Sequence, residues 1–323
     1  MTRPPLRGYF LRVASVSLLV LFLLLTAPGF PLAELAQSVG AAAARTVEEA
    51  RAGQEEALPG GREVKDFAAA WPDRIAETAF REGEWMLRVG DAWFAWANGR
   101  LLPEAERARW EDFASLPLYR YPLALPPLAV IDEETAARLR QRVREDAANP
   151  PRRHEEFLGR LLQAGSRAET EAHIVRMEVA GFTVTVHERL AEPLARVSEE
   201  LRALRLADPA VTAFLAGLTE MNGYNYRYVE GTHSRSFHSY GLAVDLVPKS
   251  YGGRHAYWMW AMSKVRDFWT VPYERRWMVP APVVEAFERN GFVWGGKWLF
   301  FDTMHFEYPV SYTHLTLPTK RIV

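Results

Sequence analysis

Between Glu84 and Leu102 (EWMLRVGDAWFAWANGRLL) apolar and polar residues alternate, with breaks at Gly90-Asp91 and Asn98-Gly99. A period of two interrupted by such dipeptides predicts short strands joined by tight turns. Trp85, Trp93 and Trp96 in this stretch fit a small satellite core, with a ligand-stacking surface as the alternative. Helical spacing follows over residues 133–147 and from 154 to about 177. The period of two returns in Phe182–His187 (FTVTVH), whose β-branched residues predict a strand. Helices are expected again at 192–206, 211–220, 257–268 and 282–290, the last stopped by Gly291. Strands are expected at 221–229, 241–247, 292–294, 298–301 and 304–308.

The two ends of the chain read differently. Arg3, Arg7 and Arg12 lead into the uncharged run VASVSLLVLFLLL, so residues 1–30 are expected to be a signal peptide or a membrane anchor. That places the protein in the cell envelope, exported, with the membrane as a partner through this segment. Residues 31–66 are Ala/Glu/Gly-rich and read as a flexible tether. An accessory α+β region of unknown role is expected at 67–177 and a second domain at 178–309. The stretch VSYTHLTLPT resembles the translation of a sequencing adapter, so 310–323 are set aside as an artefact.

Composition narrows the chemistry. The 323 residues have room for two compact units, and 49% hydrophobic with 24% charged residues excludes wholesale disorder. Lys and Arg number 39 against 40 Asp and Glu, so the basic surplus of a nucleic-acid partner is missing. No glycine-rich phosphate cradle points to a nucleotide either. Cysteine is absent, which removes thiol nucleophiles, thiolate metal sites and disulfides. Any metal must be held by carboxylates and the eight histidines.

Two short segments concentrate the candidate chemistry. In Ser236-Phe-His238-Ser-Tyr-Gly241-Leu-Ala243-Val-Asp245, a strand puts Asp245 on the face opposite Leu242, Val244 and Leu246. Gly241 permits the turn that returns His238 toward that strand. In Asp302-Thr-Met-His305-Phe-Glu307, alternation puts Thr303, His305 and Glu307 on one face, so His305 can meet Asp245. Asp302 joins them only if the chain bends before Thr303. Two imidazoles and a carboxylate suit zinc with one open position. A carboxylate beside the ion, but not on it, can act as general base, and Asp302 is the candidate. Glu307 is placed to orient a ligand histidine.

These strings resemble the VanY/VanX-type zinc peptidases, the family of D-alanyl-D-alanine carboxypeptidases and L-alanyl-D-glutamate peptidases. The resemblance rests on S-x-H-x-x-G-x-A-x-D (236–245), W-G-G-x-W (294–298) and acid-x-x-H-F (302–306). The order of expected elements is that of an α+β fold, a small, mostly antiparallel sheet with flanking helices, preceded by a mixed α/β N-terminal region; the resemblance covers roughly 179–308, says nothing about the first half, and implies one Zn2+ per chain. By similarity His238, Asp245 and His305 would be the ligands, Asp302 the base and Arg227 the oxyanion partner, with Arg235 a rival for that last role. Ser236, Trp294 and Trp298 would touch substrate, although Ser236 capping a turn and Trp294 and Trp298 packing the core are equally open. Lys297 stands where many relatives carry an acid. Trp258, Trp260 and Trp269 favour core packing, and the loop at 248–254 is placed to overhang the cleft. The implied partners are peptidoglycan stem peptides. The alternative function is a catalytically weak envelope-binding module that retains the fold.

Overall fold

The computed structural model describes residues 58–116 and 121–310. The export or anchor segment, most of the tether and residues 311–323 lie outside the described residues. No helix among the described residues is long and apolar enough to cross a membrane.

A helix, α1 (Gly61–Ala70), occupies the end of the stretch expected to be tether, because Val64 and Phe67 find an apolar surface to bury against. Four antiparallel strands follow in chain order: β1 (Ile75–Arg81), β2 (Glu84–Val89), β3 (Ala92–Ala97) and β4 (Arg100–Pro103). The Asn98-Gly99 turn has both central residues at positive φ (45° and 84°), as a two-residue hairpin of type I′ requires. Trp85 is buried in the main core, whereas Trp93 stays half-exposed under the Arg81 guanidinium, 4.2 Å away.

The next elements are helices α2 (Glu133–Ala148), α3 (Glu156–Leu162) and α4 (Arg167–Ala172). Asp132 caps α2 by accepting the Thr135 N–H, and Ser166 with Glu169 forms a capping box on α4. The helix expected to reach 177 stops at Ala172. Residues beyond it pair as β5 (Ile174–Val179) with β6 (Phe182–His187), a ladder that outweighs any helical spacing. Then come α5 (Ala191–Ala207) and α6 (Pro209–Ala216), the latter started by Asp208 as cap and Pro209 in the first turn. The helix expected at 211–220 therefore ends early, and β7 (Leu218–Asn222) replaces the strand expected at 221–229.

The remaining elements are β8 (Ala243–Pro248), α7 (Trp258–Met262), α8 (Ala281–Arg289), β9 (Val293–Trp294) and β10 (His305–Glu307). Residues 298–301 form no strand. After a single 3-10 turn at Gly295–Lys297 the chain lies against the Trp294 indole, where a Cβ on Gly296 would sit 2.2 Å from the ring. The second sheet has the order β7-β8-β10-β9, antiparallel throughout. The fold is thus α+β with small antiparallel sheets and flanking helices.

One apolar core runs from Phe67, Leu87 and Phe94 through Phe157 and Leu161 to Leu246, Phe287 and Phe306. Residues 67–177 and 178–309 share it. At its N-terminal end Phe157 meets Phe67 and Phe94 edge-on at centroid distances of 5.3 and 5.4 Å. Val310, assigned to the set-aside tail, is buried and its carbonyl accepts from Trp71 Nε1 at 2.7 Å.

Phe157→Ala should cost about 3–5 kcal/mol by leaving a cavity in this shared core. Urea unfolding followed by both tryptophan fluorescence and far-UV circular dichroism should then show one earlier, coincident transition. Two separated transitions would mean that the regions do not share a core.

Candidate metal centre

Antiparallel pairing of β8 with β10 sets His305 directly opposite Asp245. Opposed residues share a face, so both side chains leave the sheet on the same side. His305 Nδ1 lies 2.9 Å from Asp245 Oδ1. His238 arrives from a 3-10 turn at Phe237–Tyr240, capped by Ser236, whose Oγ accepts the His238 N–H at 3.3 Å. Gly241 ends that turn at φ 68°, and a Cβ there would meet the His187 nitrogen at 2.5 Å. This puts His238 Nε2 at 3.1 Å from Asp245 Oδ2 and 3.2 Å from His305 Nδ1.

The outer ring nitrogens explain what the inner ones can do. His238 Nδ1 lies 2.6 Å from the Gly223 carbonyl, and His305 Nε2 lies 3.2 Å from Glu307 Oε2. A carbonyl and a carboxylate accept only, so each of these outer nitrogens carries a proton. In neutral rings the inner nitrogens then present lone pairs to each other and to the Asp245 carboxylate. Such a cluster of buried electron pairs is unfavourable unless a cation enters it. One donor atom from each of His238, Asp245 and His305 lies within 4.8 Å of the others, so the three could hold a metal ion. The residues present fit such an ion, and the outer partners are those that orient metal-binding histidines.

The electrostatics agree. Burial pushes the Asp245 carboxyl up, but the His238 and His305 imidazoles outweigh it and hold the group well below the usual range. Burial opposes charge on His305, yet Asp245 and Glu307 raise its pKa well above the ordinary imidazole value. A proton there does part of what a metal cation would do.

Asp302 sits beside this set. The chain does turn here, but at Thr303-Met304 rather than before Thr303, with the His305 N–H reaching back to the Asp302 carbonyl at 3.3 Å. Its Oδ1 is buried with no hydrogen-bond partner among the described residues. Burial pushes its pKa up to about 7; Asp245 adds to the rise, while His305 and Arg227 draw it down.

A cleft of about 670 Å³ opens over these groups, lined by Arg227, Ser236, Asp302, Trp298 and the three candidate ligands among others. Arg227 is exposed at its edge. Its rival Arg235 is 1% exposed and spent on structure, donating to the Ala164 and Ser239 carbonyls and stacking on Tyr240 at 4.1 Å. Trp298 walls the cleft, 5.7 Å from the His305 ring. Trp294 does not reach it. Its ring stacks on Phe306, and its Nε1 donates to the Thr303 carbonyl at 2.8 Å, because strand pairing with Phe306 turns it into the core.

Other expectations change as well. Trp269 is core and Trp258 packs against the same apolar cluster, as expected, but Trp258 also lines the cleft, and Trp260 lines it too, since α7 has only five residues and cannot bury its whole surface. The loop at 248–254 does not line it; Tyr251 packs on Trp260 and Trp277. Lys297 is buried against Glu288 at 2.6 Å. Pro122 and Arg153 line the cleft from distant parts of the chain, which no local pattern could have announced.

Residues 230–308 match the family model for D-alanyl-D-alanine carboxypeptidase, a segment that includes His238, Asp245, Asp302 and His305. Residues 63–118 match a model described as a domain of unknown function. No curated protein and no solved structure matches the chain.

Glu307→Gln should weaken metal binding by about 10–100-fold, the usual effect of losing a carboxylate behind a ligand histidine. Competition with a chromophoric chelator measures it. Unchanged affinity would show that Glu307 does not support the centre.

Proposed function

We propose that this chain is an exported zinc metallopeptidase that hydrolyses peptide bonds of peptidoglycan stem peptides. One observation supports it most: a carboxylate with one buried oxygen free of any hydrogen-bond partner among the described residues stands beside two imidazoles and an acid, within a segment that matches a peptidase family model. Zinc, when held by His238, Asp245 and His305, supplies a Lewis acid and a water of lowered pKa.

The protein's own groups do the rest. Asp302 takes the proton of the attacking water on its carboxylate and delivers it to the leaving amine nitrogen. A divalent charge nearby favours the ionised Asp302 that a base requires. Arg227, at the cleft edge, donates to the carbonyl oxygen as negative charge develops there. Gly223 and Glu307 hold the two imidazoles in one tautomer each. Trp258, Trp298 and Phe300 exclude water from the peptide. Ser236 is engaged in capping its turn, so its contribution is to the placement of His238.

Asp302→Asn should keep the bound zinc and lower kcat by about 10²–10⁴-fold, the typical share of a positioned base. His238→Ala should lose both zinc and turnover. Zinc analysis beside hydrolysis of purified muropeptides, with chelator as control, reads both outcomes. An Asp302→Asn protein as active as its parent would rule out the assignment. An intact protein that holds zinc, binds muropeptides and hydrolyses none would be an envelope-binding module instead.

Arg227→Ala should lower kcat by roughly 10²-fold with a smaller change in KM, as for removal of an oxyanion donor. Loss confined to KM would make Arg227 a ground-state binding group.

A further inference from the structure

The cleft continues past the candidate ligands. On the far side of His238 and Asp245 lies a second cavity of about 340 Å³, lined by Thr185, Glu220, Asn222 and Asn225 among others. Arg227, His238 and Asp245 line both cavities, whereas Asp302 and His305 line only the first. The register extends the second cavity along β7. Asn222 lies opposite Asp245 and Glu220 opposite Val247, so their side chains share the face that carries the centre. These residues precede the matched segment 230–308, and nothing in that match describes them.

The chemistry sets the direction of a bound peptide. Hydrolysis joins the water oxygen to the carbonyl carbon, breaks the C–N bond, and moves the water proton through Asp302 to the amine nitrogen. The amine fragment must therefore lie on the side of Asp302, in the aromatic cavity. The acyl fragment lies in the polar cavity. Each volume is within the range of about 300–1,000 Å³ that holds ligands larger than a single small residue.

An enzyme that trims a chain end also needs a cation for the terminal carboxylate on the amine side. Lys297, in that wall, is taken by Glu288 at 2.6 Å and by the Leu123 and Pro122 carbonyls at 2.7 and 3.2 Å. Arg153 lies over the Phe237 ring and donates to the Arg235 carbonyl at 3.4 Å. Arg227 stands at the junction, beside the bond to be cut.

We infer that the substrate crosses the centre, with several residues on each side of the scissile bond, so that the enzyme is an endopeptidase. This rests on the peptidase reading above. Its substrate is a stem peptide in extended form, polar on the acyl side, whose C-terminal carboxylate is not required.

The test uses the full zinc-loaded chain with paired synthetic stem peptides, one a free acid and one a C-terminal amide extended by two residues. Mass spectrometry reads the products. The expected result is internal cleavage of both, with kcat/KM differing by less than about threefold. Release of a single terminal residue from the free acid alone, with a loss of roughly 100-fold or more on amidation, overturns the inference and leaves the peptidase reading intact. Absence of cleavage of either peptide overturns both.

A second variant probes the polar cavity. Asn222→Trp should lower the ratio of kcat/KM for peptides long on the acyl side to that for short ones by about tenfold. Zinc content serves as the control for folding. An unchanged ratio with normal zinc means that the acyl fragment does not occupy this cavity.

Discussion

Two imidazole nitrogens and a carboxylate are held within hydrogen-bonding distance of one another below the surface, and each ring already has its other side tied down. Everything else about the centre follows from that crowding. Because the Gly223 carbonyl and Glu307 hold the outer nitrogens, the inner lone pairs have nowhere else to turn. The arrangement is favourable only with positive charge in the middle, whether a proton on His305 or a divalent ion. The same charge balance governs Asp302, which burial would otherwise keep close to half-protonated at neutral pH.

The fold meets this constraint with very short elements. β10 has three residues, yet its pairing with β8 is what aligns His305 with Asp245. Two glycines set the third donor. Gly241 takes a left-handed turn against β6, and a Cβ on Gly223 would lie 2.0 Å from the Thr185 carbonyl. Close approach of the Gly223 backbone to β6 brings its carbonyl under His238. A centre of this kind depends on backbone proximity more than on side-chain packing.

The accessory region belongs to the same structure. Tyr121 donates to Glu288 and accepts the Trp294 N–H at 2.9 Å, and Lys297 bridges Glu288 to the carbonyls of Pro122 and Leu123. In this buried ion pair the ammonium has three acceptors and Glu288 Oε1 takes both Lys297 and Tyr121, added bonds that help offset the cost of desolvation. It fixes Pro122 on the cleft wall. Lys297 acts here on the architecture of the wall.

Sequence by itself determined the donor set, because alternation in a strand assigns His305, Asp245 and Glu307 to faces with no knowledge of the rest, and the need for a bend at Asp302 follows from the same parity. It also determined the hairpins at Asn98-Gly99 and the end of α8 at Gly291, where local backbone preference is strong. Only the tertiary structure decided β5 and β7, whose strand state depends on a partner, and the opposite fates of Trp294 and Trp298 four residues apart. The same holds for Arg227 and Arg235: both precede the histidine, but one is stacked in the core and tied to backbone carbonyls while the other faces the cleft. Burial and long-range pairing are properties of the assembled chain, and no local pattern contains them.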